Sequence, residues 1–145
     1  MQFIANAHLF VRADDIAVAR FFESFKGKAA TGFKNAGLYF PQSIAFYRLM
    51  GALAVWTGEH GPIMALIAYP VAEPTFGEAT SLPEPFWDAP YIYGHALAAV
   101  DSIKGQVVER FTDYFRKRFP LATHYYGWRG DRLMRPIRIR PCRNH

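Results

Sequence analysis

Tyr91-Ile92-Tyr93-Gly94-His95-Ala96-Leu97-Ala98-Ala99-Val100 runs directly into Asp101-Ser102-Ile103-Lys104-Gly105-Gln106-Val107-Val108-Glu109-Arg110-Phe111, and the change of pattern between them decides the fold. The first stretch is almost wholly apolar, as a strand covered on both faces must be. In the second, Ile103, Val107, Val108, Phe111, Tyr114, Phe115 and Phe119 recur at helical spacing, with Lys104, Glu109, Arg110, Asp113, Arg116 and Lys117 opposite. The spacing predicts one helix over residues 102–119 that lays positions 103, 107, 108, 111 and 115 on a sheet. Asp101 or Ser102 caps it and Pro120 stops it.

Upstream, the apolar runs 52–56 and 63–71 flank Thr57-Gly58-Glu59-His60-Gly61-Pro62, which signals an antiparallel hairpin. Before them, an extended opening over residues 3–11 precedes Asp14 and Asp15, and then Val18, Phe21, Phe22 and Phe25 follow at helical spacing. A strand and a helix ending near Gly27 are expected there. Gly27, Gly32, Gly37 and Pro41 make residues 27–43 an irregular or short helical connection. Pro74, Pro83, Pro85 and Pro90, with Glu73, Glu78 and Glu84, make residues 72–90 a long acidic surface loop, either a binding element or a solvated excursion.

Downstream, residues 123–128 and 133–139 flank Gly130 and Asp131 as a second hairpin, a basic one at about 121–141. In its last strand Arg138 and Arg140 alternate with Ile137 and Ile139, giving one basic and one buried face. Together the elements predict a single α+β domain over residues 1–145, with a mostly antiparallel twisted sheet and a long packed helix.

Composition agrees with one folded domain. The chain has 145 residues, 51% of them apolar and 20% charged, so it carries enough material for one core and too little charge for disorder. No apolar run reaches the length of a spanning helix and the start lacks a signal-peptide pattern, so a soluble, uncleaved, cytoplasmic protein is expected. Cys142 is the single cysteine, which excludes a disulfide framework or a multi-thiolate site, and the five histidines show no metal-ligand spacing.

The net charge of +5 is unevenly spread. Residues 1–101 hold six Lys/Arg against nine Asp/Glu, whereas residues 102–145 hold eleven against three. Arg129, Arg132, Arg135, Arg138 and Arg140 therefore form a candidate surface for an anionic partner: a phosphorylated cofactor, an acidic protein or nucleic acid. A merely solubilising face is the alternative.

The strand-to-helix junction resembles the GNAT acyltransferase superfamily, in which a Gln/Arg-x-x-Gly-x-Gly/Ala loop between strand and helix binds a pyrophosphate. Ser102-Ile103-Lys104-Gly105-Gln106-Val107 occupies that position, with Ser102 in place of Gln/Arg and Val107 in place of Gly/Ala. Phe10-Val11-Arg12-Ala13-Asp14-Asp15 and the helix after it are similar to that superfamily's first strand and helix, and element order agrees over residues 9–119. Residues 51–56, 63–69, 114–120 and 135–141 are further similar to segments of the toxin-activating lysine acyltransferases. The essential His of those enzymes has no counterpart before the hairpin here, and their essential Asp falls nearest His95.

The resemblance implies acetyl-coenzyme A or acyl carrier protein as donor, held by Ser102, Lys104, Gly105, Gln106 and Val107, where free amides at a helix start also favour phosphate. It implies transfer of an acyl group from a thioester to an amine. His95, interrupting an apolar strand, is the candidate base, or else a core histidine; Tyr126 or its neighbour Tyr125 is the candidate proton donor to the leaving thiolate. The other reading is a non-catalytic binding protein whose basic C-terminal hairpin, with Tyr125, Tyr126 and Trp128, holds nucleic acid or an acidic protein. A structural or assembly role is the third.

Overall fold

The computed structural model describes residues 10–25, 30–31, 38–74, 82–129 and 132–140. Among the described residues there are three α-helices, α1 (Ala13–Ser24), α2 (Pro41–Met50) and α3 (Val107–Arg118). The strands are β1 (Ala30–Thr31), β2 (Leu53–Gly58), β3 (Gly61–Val71), β4 (Tyr91–Ala99), β5 (His124–Arg129), β6 (Arg132–Leu133) and β7 (Ile137–Arg138). The main path of the sheet is β2-β3-β4-β5-β6, with β1 on β4 and β7 on β5. Every pairing is antiparallel except β4 with β5. The class is thus α+β with a mixed, mostly antiparallel sheet. The expected strand over residues 3–11 falls largely outside the described residues.

β3 and β4 lie in the centre because their residues can be covered on both sides. Met64 to Tyr69 are each at most 4% exposed. One face packs on α1 and α2 through Val18, Phe22, Ile44 and Tyr47, and the other packs on α3 through Phe111 and Phe115.

α1 starts as the aspartates predict. Asp15 accepts the Arg12 backbone N–H at 2.9 Å, satisfying a donor that the helix start would leave free. α2 departs from expectation, since residues 41–50 form a regular helix where a connection is expected up to residue 43. Pro41 opens its first turn and Gly51, at φ +82°, closes it in the left-handed region that glycine tolerates.

The junction after β4 also differs from a single helix over 102–119. Residues Asp101–Gln106 form a 3-10 helix, and α-helical geometry begins only at Val107. Val108 shares its side of α3 with Phe115 but sits in the first turn, where it is 59% exposed. Helical azimuth fixes the direction a side chain takes, whereas cover depends on a neighbour at that height along the axis. In the last strand the expected alternation holds for Ile139, which is buried, and fails for Ile137, which is 51% exposed. β7 has only two residues and sits at the rim of the sheet, so it lacks a layer to cover Ile137.

Candidate functional site

The parallel pair β4–β5 supplies the site. Its register runs Tyr91 to His124, Ile92 to Tyr125, Tyr93 to Tyr126 and Gly94 to Gly127, and there it ends. Beyond Gly127 the chain turns into the β5–β6 hairpin, Trp128 pairing with Leu133, while the next positions of β4, Ala96 and Leu97, pair with Thr31 and Ala30 of β1. The two strands therefore part after four pairs.

Both residues at the parting are glycines for a reason. A Cβ on Gly127 would lie 3.1 Å from the Gly94 carbonyl oxygen, and one on Gly94 would lie 3.3 Å from that of Tyr126. Glycine inside a strand marks such a close backbone approach, and Tyr-Gly-His and Tyr-Gly-Trp carry that signal in the sequence.

A cavity of about 270 Å³ opens where the strands diverge. Leu66, Phe111 and Phe115 line it from the α3 side, and Ala96, Tyr126 and Trp128 from the other core cluster, so it enters the sheet itself. Met134 and Ile137, both partly exposed, also line it. Arg135 and Arg138, both exposed, neighbour these two residues in sequence. Tyr125 lines the cavity half-buried; burial raises its pKa, and the Arg140 charge acts against that rise.

His95 is elsewhere. The register passes from Ala68–Gly94 to Ile67–Ala96, which leaves His95 as the extra residue of a bulge in β4. Its ring lies 5.5 Å from that of Tyr47 on α2 and is 1% exposed, on the face opposite α3. Burial lowers its pKa to about 4, so the imidazole is neutral at physiological pH. Tyr93 Oη stands 2.9 Å from His95 Nδ1, and Trp128 Nε1–H donates to the same oxygen at 2.9 Å. Because the indole only donates, the Tyr93 hydroxyl oxygen accepts from it and makes its second hydrogen bond with Nδ1. His95 is not among the described residues lining the cavity; it reaches the cavity through Tyr93 and Trp128.

The remaining candidates are dispersed. Tyr126 is 2% exposed and forms part of the cavity wall. Ser102, Lys104, Gly105 and Gln106 lie exposed on the 3-10 helix, Val107 is half-buried, and none of the five lines the cavity. The Gln106 carbonyl oxygen Oε1 accepts from Arg110 Nη2 at 2.9 Å. A Cβ on Gly105 would meet nothing within 4 Å, so no close contact requires glycine there. The Ile103 amide bonds to the Val100 carbonyl at 3.2 Å, and 3-10 bonding uses the amides that follow.

Arg129 of β5 is in register with Arg132 of β6, and Arg132, Arg135, Arg138 and Arg140 are exposed. Arg116 donates to the Arg140 carbonyl at 2.7 Å, tying the end of the basic segment to α3. Among the described residues no three His, Cys, Asp or Glu side chains gather as metal ligands, and no helix is long and apolar enough to cross a membrane. No family model, curated protein or solved structure matches the chain.

Proposed function

We propose that the protein binds the acyl group of a thioester donor in the cavity between β4 and β5 and transfers it to an amine. The observation that carries this reading is the parting of a parallel strand pair at two apposed glycines, with an apolar cavity opening at that point. An apolar chain gains most of its binding free energy by leaving water for such a lining. The cationic residues Arg135, Arg138 and Arg140 suit an anionic donor, either coenzyme A or an acidic acyl carrier protein.

In the transfer, the amine nitrogen attacks the thioester carbonyl carbon and the carbon–sulfur bond breaks. Tyr125 is the phenol that both lines the cavity and meets solvent, so it is the group that gives the departing thiolate a proton. Its phenolate then recovers the proton released by the amine through water. Tyr126, enclosed in the wall, serves to shape the cavity. His95 serves behind the wall instead of as the base at the reacting atoms.

Native mass spectrometry and calorimetry with acyl-coenzyme A and acyl carrier protein, each with and without its acyl group, test this reading. The acylated donor is expected to bind at least tenfold more tightly than the bare one. Replacing Arg135, Arg138 and Arg140 with Gln should weaken binding and flatten its salt dependence. Equal binding of acylated and bare donors would refute the reading. Salt-dependent binding of nucleic acid alone would instead support the basic C-terminal hairpin as a nucleic-acid surface.

A further inference from the structure

The geometry points to Trp128 as a fixed wall that gives the cavity a chain-length limit, with Tyr93 and His95 as the positioning residues that hold it. This rests on the acyl-chain reading of the cavity for the class of ligand, but not on any transfer step.

Size comes first. A dry cavity of roughly 150 Å³ holds a benzene molecule, so the 270 Å³ here suits a straight chain of roughly eight to ten carbons. A cavity is a ruler only if its walls do not yield. Most apolar walls can shift rotamer to admit another methylene, and a tryptophan held only by packing could do the same.

Trp128 is held by more than packing. Its indole N–H is committed to Tyr93 Oη at 2.9 Å, and Tyr93 is held to His95 Nδ1 at 2.9 Å. His95 is itself fixed by the β4 bulge and by the Tyr47 ring. Swinging the indole away would strand its buried N–H donor, a cost that one added methylene does not offset. The bulge that displaces His95 begins at Gly94, the last residue of β4 paired with β5. The device that opens the cavity and the chain that braces its wall are therefore neighbours in one strand.

The closing experiment uses straight-chain fatty acids from four to sixteen carbons, which carry an anionic end and an apolar chain but nothing to transfer. Affinity should rise roughly fourfold for each methylene that enters the cavity, then level off at about eight to ten carbons. In Tyr93→Phe, which deletes only the hydroxyl, the levelling point should move out by two or more carbons. Trp128→Phe, which removes the N–H and shrinks the wall, should move it further. A rise continuing to sixteen carbons in the parent refutes the limit. An unmoved levelling point in both folded variants refutes the role of Trp128 and its brace while leaving an acyl-binding cavity. Absence of binding at every length overturns the cavity reading as well. Normal fatty-acid behaviour without transfer from any thioester would refute the transfer reading alone.

Discussion

Asp15→Ala is expected to loosen the helical layer behind the site, and its cost follows from the hydrogen bonds that this one carboxylate accepts. Asp15 is 1% exposed, and its two carboxylate oxygens accept from Arg48 Nε at 2.9 Å and Nη2 at 3.0 Å. The pair joins α1 to α2 with the two-pronged geometry that makes Arg–carboxylate contacts strong. Asp15 Oδ2 also accepts the Arg12 N–H, and Arg48 Nη2 donates to the Phe10 carbonyl at 2.7 Å.

Removing one partner of a fully buried pair costs about 3–5 kcal/mol. Arg48 keeps 21% of its side chain in water and retains the Phe10 carbonyl, so solvent screens the orphaned cation and about 2–3 kcal/mol is the better figure. In a chain of 145 residues this lowers the melting temperature by roughly 5–10 °C. Thermal and urea denaturation of Asp15→Ala, Arg48→Met and the double variant measure it. The two single changes should be strongly non-additive, with the double variant close to Arg48→Met alone. Additive losses, or a loss below about 0.5 kcal/mol for Asp15→Ala, would show that the two helices are joined by apolar packing and that the ion pair is incidental.

Burial sets two further outcomes. Val108→Asp should leave the melting temperature within a few degrees of the parent, because Val108 is 59% exposed, whereas Phe111→Asp buries a carboxylate among the rings of Phe115 and Tyr125 and should prevent stable folding; circular dichroism on both decides whether α3 is oriented as described. His95, with its pKa lowered to about 4 from an ordinary 6.5, stays neutral in the folded protein while the unfolded chain takes up a proton, so stability should fall as pH drops from 6.5 to 4 by up to about 3 kcal/mol. His95→Gln should lose that part of the slope, and identical slopes in urea melts across this range would place the imidazole in water.

The parts of the fold that local pattern can specify are readable in the sequence. The apolar run of β4, the amphipathic α3 and the turn at Gly58 to Gly61 each carry their signal within a dozen residues. α2 carries one too, in Pro41 and Gly51 at its ends and Ile44, Ala45 and Tyr47 between, but the neighbouring glycines at 32 and 37 draw the reading toward a loop. β1 has two residues and exists only by pairing with Leu97 and Ala96, about sixty-five positions away, so no local pattern announces it. The site is legible to the same degree. Gly94 and Gly127 can be marked as points of close approach, and His95 as unusual in an apolar strand. That His95 is a bulge residue depends on the register against β3, and that the cavity exists depends on where β5 stops pairing with β4.

This arrangement divides the site into parts with different physics. From the wall inward, Trp128, Tyr93 and His95 form a neutral, buried hydrogen-bonded chain that responds to pH only below the ordinary histidine range. In front, Tyr125 meets the field of Arg140, and the exposed Arg135 and Arg138 adjoin the cavity's partly exposed Met134 and Ile137 in sequence. Between them, the backbone of β4 beyond Gly94 is already paired with β1, so a ligand in the cavity has no need to complete the sheet there. Under the proposed function its apolar part is held by burial, which salt barely weakens, and its anionic part by exposed guanidinium groups, which salt screens. On that proposal the length of a chain and the charge of its head are read by separate residues, and neither set includes the strand-to-helix turn at residues 102–107.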